Sequence, residues 1–270
     1  MRQQRKFMKN VLKEKLQQGP VFGIQIMSCS PATVEVLAMN HYDYALLDAE
    51  HTPVDVTDLR EMVLVARLRG IAPIVRVTGP NAVEIRKAFE LGAEGVVIPH
   101  IKTREEMEYC VQSAKFPPMG RRGYDCAVRS AGFGAGEYNA DEYLSHSNNT
   151  ELVIPMAEDF EFMENIDAIL SVPGVDAVSF GPADYALSKN IRVFYKMDMP
   201  EVAEALDGII REASARKIHV MAPALPATPD TVTRMSHLGV DMLTVGTDLG
   251  RLNESLAHTK QTVIDPFMGR

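Results

Sequence analysis

The chain has 270 residues, 46% of them hydrophobic and 24% charged, enough to bury one large core or two small ones. Its 28 lysines and arginines stand against 36 acidic residues, a formal charge of -8, which argues against nucleic acid or an anionic membrane as a partner and favours a small organic ligand. Cys29, Cys110 and Cys126 are odd in number and lack metal-ligand spacing, so reduced thiols in a reducing, cytoplasmic compartment are expected.

Residues 1–18 are basic and polar with leucines at 12 and 16, which predicts a short leading helix and not a signal peptide. No stretch approaches the roughly 18 apolar residues of a membrane-spanning helix. Short β-rich runs then alternate with segments of helical period. A strand is predicted over 21–27 and a helix over 32–40, then a strand over 42–48 and a helix over 56–68. A strand over 73–77 precedes a helix over 82–91 closed by Gly92, and a strand over 95–99 precedes a helix over 104–114 stopped by Phe116-Pro117-Pro118. Residues 117–149, rich in Gly, Arg, Ser and Asn, show no period and read as one long loop of the kind that serves an active site or an interface. Alternation resumes with strands over 152–156, 177–180, 219–222 and 242–245 and helices over 161–170, 201–215 and 230–238. A final amphipathic helix spans about 249–262.

Eight strand–helix units in a chain of this length predict an α/β fold, a (β/α)8 TIM barrel in a single domain over 1–270 with the leading helix closing the bottom. The runner-up, an open doubly wound sheet, lacks its main support: Met27-Ser28-Cys29-Ser30-Pro31 follows the first strand where a Gly-x-Gly-x-x-Gly turn would stand, and no nucleotide is expected.

Catalytic groups of such barrels sit at the C-terminal ends of the strands. Here those ends carry Asp48-Ala49-Glu50-His51, Arg76, Pro99-His100, Glu158-Asp159, Gly181-Pro182-Ala183-Asp184 and Gly246-Thr247-Asp248. Singly, each has a plain reading. Glu158, Asp159 and Glu161 suit a first helical turn, Asp184 suits a cap, His51 and Arg76 suit paired structural roles, and His100 suits one more readily than a catalytic role. Jointly, Glu158 and Asp184 end adjacent strands and point at one small volume, where a divalent cation would relieve their repulsion. Two carboxylates plus waters suit magnesium or manganese and leave positions for a substrate. None of strands two to eight carries a lysine, so Schiff-base chemistry is not expected, and chemistry beside a carbonyl would need a Lewis acid instead.

Several segments, in order, resemble the HpcH/HpaI aldolase family of metal-dependent pyruvate aldolases across about 19–258. They are Tyr42-Asp43-Tyr44-Ala45-Leu46-Leu47-Asp48-Ala49-Glu50-His51, Pro73-Ile74-Val75-Arg76, Gly95-Val96-Val97-Ile98-Pro99-His100, Pro117-Pro118-Met119-Gly120-Arg121-Arg122-Gly123, Met156-Ala157-Glu158, and Gly174-Val175-Asp176 leading to Gly181-Pro182-Ala183-Asp184. The resemblance implies reversible cleavage of a 4-hydroxy-2-oxo acid to pyruvate and an aldehyde through a pyruvate enolate, with magnesium, manganese or cobalt held by Glu158 and Asp184. It implies His51 as base, Arg76 on the keto oxygen, and Gly181, Pro182 and Ala183 beside the substrate carboxylate. Met156 stands where several members have glutamine, and the histidine's acidic partner, aspartate in some members, falls on Glu90. The resemblance also implies a cytoplasmic homo-hexamer, a trimer of dimers, with the 117–149 loop and the last helix as candidate contacts and that helix a candidate for exchange between subunits.

The segment from Tyr185 to Lys196 is more basic and aromatic than the family pattern. Lys189, Arg192 and Lys196 could meet a second carboxylate of the substrate or form a solvated basic loop, and Arg121, Arg122 and Arg129 pose the same choice. Competing readings are a coenzyme A thioester lyase of the malyl or citramalyl type, an oxaloacetate-type decarboxylase, and a non-catalytic barrel that binds a metabolite.

Overall fold

The computed structural model of the protein describes residues 7–192 and 197–269. Eight parallel strands close into a barrel in sequence order: β1 Val21–Ile26, β2 Tyr44–Asp48, β3 Ala72–Arg76, β4 Gly95–Ile98, β5 Leu152–Ala157, β6 Ala177–Phe180, β7 His219–Pro223 and β8 Met242–Thr247. The (β/α)8 barrel expected from the alternation is therefore the fold.

The helices α1 Leu12–Leu16, α2 Pro31–Met39, α3 Val56–Arg69, α4 Ala82–Leu91 and α5 Arg104–Ala114 accompany the first half. They begin where the sequence offers N-caps: Asp55 and Thr103 each form a reciprocal capping box, while Asn81 accepts from the first turn of α4. The elements depart from the predicted ones in three places. The 117–149 segment is not one loop, because α6 spans Ala140–Thr150. The helix expected over 161–170 is broken at Asn165 into α7 Phe160–Glu164 and α8 Ile166–Leu170. A short helix α9, Pro182–Ser188, begins directly beyond β6. The second half is completed by α10 Pro200–Arg216, α11 Pro229–Leu238 and α12 Asp248–Thr259, which runs on through a wide turn to α13 Asp265–Met268.

Strand parity sorts the side chains. Ala45, Leu47, Val75, Val96, Ile98, Val153 and Ala157 join the large core between strands and helices, whereas Tyr44, Leu46, Ile74, Val97, Ile154, Met156 and Met221 fill the barrel interior. Continuing the interior parity to the strand ends brings Gln25, Asp48, Arg76 and Glu158 to the top of the inner column. Gly23 permits this packing: a Cβ there would lie 2.3 Å from the ring of Tyr44, whose hydroxyl bonds Thr244 across the barrel at 2.8 Å.

Leu12 and Leu16 plug the bottom. The buried Glu94 accepts from the Val11 and Leu12 amides, both at 2.7 Å, and pairs with Arg67. Glu94→Ala would leave those amides without their acceptor and strip the largely buried Arg67 of its acidic partner, so a loss of about 3 to 5 kcal/mol in chemical denaturation is expected. Among the described residues no helix is long and apolar enough to cross a membrane.

Candidate active site

A cavity of about 170 Å3 opens at the C-terminal ends of the strands, lined among others by Gln25, His51, Arg76, Met156, Gly181, Ala183 and Asp184. At its wall an ion pair spans paired strand ends, Asp48 of β2 beside Arg76 of β3 in register. Arg76 Nε donates to Asp48 Oδ1 at 2.9 Å and Nη2 donates to Oδ2 at 2.6 Å, a two-pronged grip in a buried setting. Gln25 Nε2 donates to the same carboxylate at 2.9 Å. Burial would push the Asp48 carboxyl up, yet the hydrogen bonds and charge of Arg76 outweigh it and hold the group below its ordinary range. With Nε and Nη2 committed, Nη1 is the edge left for a substrate; it lies 3.1 Å from Glu50 Oε2 and 4.0 Å from Met156 Sδ.

Glu158 follows β5 with its side chain 1% exposed. Burial and the nearby negative charges of Glu50 and Asp184 push its carboxyl up to about 7, against the backbone N–H and ring of His100, which favour the charged form. The helix-terminus reading does not describe Glu158, since its Oε1 accepts from the His100 amide at 2.8 Å. Asp184 sits in the first turn of α9, more exposed, at the cavity wall. Gly181 allows the close approach of β6: a Cβ would meet Glu158 Cβ and Met156 Cε at 2.8 Å and Glu158 Oε2 at 3.2 Å. A carboxyl whose charged form is disfavoured first by burial and then by two neighbouring carboxylates has the donor chemistry that a hard divalent cation satisfies, so Glu158 and Asp184 fit such an ion.

His51 lines the cavity from the loop after β2 with its side chain 56% exposed, its Nε2 3.6 Å from Glu50 Oε2. Glu90 is not brought to it. That residue ends α4 near the opposite face of the barrel, pairs with Arg86 at 3.7 Å, and offers its carbonyl to the Ser130 amide. Strands run upward and helices return downward, so a helix C-terminus lies far from the mouth of its own barrel. The 117–149 segment follows the C-terminus of α5, and within this chain none of it lines the cavity. Arg122 in that segment is structural: it pairs with Glu151 at 2.6 Å and lies over Phe116 and Phe89. Arg121 donates to Gln112 and Arg129 lies over Phe133. Lys189 and Arg192 are exposed, and Lys196 lies outside the described residues.

Glu50 and His100, given no role from the sequence, stand between Arg76, His51 and Glu158. Among the described residues, Glu50, His100 and Glu158 bring one ligand atom each within 4.8 Å of one another. Glu50 had a signal in the strand-end run Asp48-Ala49-Glu50-His51, and His100 in its place beyond β4.

The model of the HpcH/HpaI aldolase/citrate lyase family matches residues 22–254. A 5-keto-4-deoxy-D-glucarate aldolase of Salmonella gallinarum is 31% identical over 235 residues, covering 86% of this chain and 88% of that relative. Among solved structures, the HpcH/HpaI aldolase from Desulfitobacterium hafniense DCB-2 superposes with a TM-score of 0.86 at 27% identity, over 94% of this chain and 96% of the other. The citrate synthase SbnG superposes with a TM-score of 0.81 at 28% identity, over 93% and 98%. The chain belongs to the HpcH/HpaI aldolase/citrate lyase family.

Proposed function

We propose that the protein is a class II pyruvate aldolase that reversibly cleaves a 4-hydroxy-2-oxo acid to pyruvate and an aldehyde. The observation that carries this reading is a cavity lined by Arg76 and Asp184, with the buried Glu158 close enough to Asp184 to feel its charge and with Arg76 Nη1, paired with Glu50, as the guanidinium edge not bound to Asp48. The sugar-acid aldolase among the relatives adds support.

A divalent cation, magnesium, manganese or cobalt, held by Glu158 and Asp184 would supply Lewis-acid polarisation of the 2-oxo group. Arg76 Nη1 faces the position where negative charge grows on the keto oxygen. Asp48 and Gln25 keep the guanidinium from turning away. The first turn of α9, where backbone N–H groups have no helical acceptor, suits the substrate carboxylate beside Gly181, Pro182 and Ala183. His51, through a water, takes the proton of the C4 hydroxyl; the C3–C4 bond then breaks to release the aldehyde, and the pyruvate enolate gains a proton at C3. The floor of Met156 and Met221 is apolar and adaptable, suiting the C3 carbon.

The test is pyruvate release from a panel of 4-hydroxy-2-oxo acids with added magnesium, manganese or cobalt; no metal-dependent release from any of them would sink the reading. For His51→Ala, cleavage should fall by about 100-fold or more, while exchange of the pyruvate C3 protons persists in part; equal losses of both would refute the separation of roles. An oxaloacetate-type decarboxylase is the second reading, favoured by the thioether of Met156 beside Arg76, and pyruvate formed from oxaloacetate but from none of the hydroxy acids would establish it.

We infer further that the chain works as a homo-oligomer, a hexamer in the family pattern. From Asp248 to Met268 no residue is buried, and Leu249, Leu252, Leu256, Val263, Ile264 and Phe267 are exposed. Truncation after Thr247 should lower the mass seen in light scattering to that of a smaller assembly; an unchanged number of subunits would contradict this role of the helix.

A further inference from the structure

Resting on that reading of the cavity, we propose that His100 is the positioning residue that fixes which oxygen of Glu158 faces the cation and links Glu158 to the groups that handle the substrate. Its backbone is held in the left-handed region, φ 61, a conformation costly for a residue with a Cβ and concentrated at functional sites. Packing does not demand this, because the side chain is 53% exposed.

The geometry accounts for the conformation. With it, the His100 amide donates to Glu158 Oε1 at 2.8 Å, and Nδ1 of the ring stands 3.3 Å from the same oxygen. Both contacts engage Oε1. The other oxygen, Oε2, is the one that faces Gly181 at the start of α9, the element carrying Asp184. Glu158 is thereby set to offer one oxygen toward the Asp184 side, so no rotamer search is needed when a cation arrives. On the far edge of the same ring, Nε2 lies 3.0 Å from Glu50 Oε1. Glu50 Oε2 in turn lies 3.1 Å from Arg76 Nη1 and 3.6 Å from His51 Nε2. Glu50 Oε2 is buried and makes no hydrogen bond of good geometry, so it is held in place by its neighbours' charges and by the ring on Oε1. One imidazole therefore spans the cation-binding acid and the acid that stands against both the base and the free edge of Arg76. Outer groups of this kind typically set metal affinity or activity within a factor of 10 to 100.

Two variants separate the two edges of the ring. His100→Gly keeps the backbone N–H, relieves the left-handed backbone and removes the imidazole. His100→Asn tolerates the same backbone and restores a short donor on the Glu158 side without reaching Glu50. The probe is Mn2+, titrated calorimetrically into metal-free full-length protein, with exchange of pyruvate C3 protons as the second readout. We expect His100→Gly to melt no lower than the wild type yet bind Mn2+ about 10 to 100 times more weakly. His100→Asn should recover most of that affinity, while exchange at saturating Mn2+ stays depressed in kcat with KM little changed. Mn2+ affinity within twofold of wild type in His100→Gly, or full recovery of exchange in His100→Asn, would overturn the proposal. Wild-type protein that binds no Mn2+ would overturn the reading of Glu158 and Asp184 as well, and so would be told apart from a failure confined to His100.

Discussion

Glu158→Gln is expected to bind Mn2+ too weakly to detect and to lose pyruvate C3 exchange and aldol cleavage by on the order of 1,000-fold, since Lewis-acid stabilisation is worth several kcal/mol and each 1.36 kcal/mol is a factor of ten. The fold should not suffer. Burial and the charges of Glu50 and Asp184 raise the Glu158 carboxyl to about 7, so the folded state disfavours its charged form. A group whose folded pKa is raised above the unfolded value subtracts stability as pH climbs through that interval, and a neutral amide that still accepts from the His100 amide removes the subtraction. Denaturation at pH 8 should therefore show the variant at least as stable as the wild type. Asp184→Ala should share the loss of metal and activity. Unchanged Mn2+ affinity in either variant would refute the ligand assignment.

Arg76→Ala is expected to lower exchange and cleavage by roughly 100- to 1,000-fold, the usual consequence of removing one group that stabilises a developing oxyanion. Its stability cost should exceed that of Glu158→Gln, because it leaves Asp48, 1% exposed, without its two-pronged partner. Breaking a buried pair from one side costs about 3 to 5 kcal/mol. Arg76→Lys separates the two effects: a point charge restores part of the stability but lacks the fork that holds Asp48 while leaving Nη1 free. Mn2+ affinity within a few-fold of wild type in Arg76→Lys, together with depressed exchange, is the expected signature. Wild-type turnover in that variant would remove Arg76 from the chemistry.

The barrel was legible because alternation of strand and helix is a local signal, and residues such as Gly92 and Pro117 mark helix ends in the sequence itself. Strand ends follow directly from the alternation, so the candidates Arg76 and Glu158 are legible in the sequence, and the interior parity of the strands then carries them into one column with Asp48. What escaped was contact at a distance in sequence. Glu90 matched a motif position, yet α4 carries it to the closed end of the barrel, where it meets Arg86 and the Ser130 amide. Residues 140–150 show no clear helical period because they are mostly polar, with only Tyr143 and Ser147 buried. His100 looked like a structural histidine because nothing in a linear reading announces a left-handed backbone or a ring bridging acids 50 and 58 positions away.

The most direct measurement is deuterium exchange at C3 of pyruvate, followed by proton NMR in deuterated buffer with the protein stripped by chelator and then given Mg2+. A metal-dependent enolising site at Glu158, Asp184 and Arg76 predicts exchange that vanishes on stripping, returns with Mg2+, and stays absent in Glu158→Gln. Exchange indifferent to the chelator, or none with Mg2+, Mn2+ or Co2+, would contradict it.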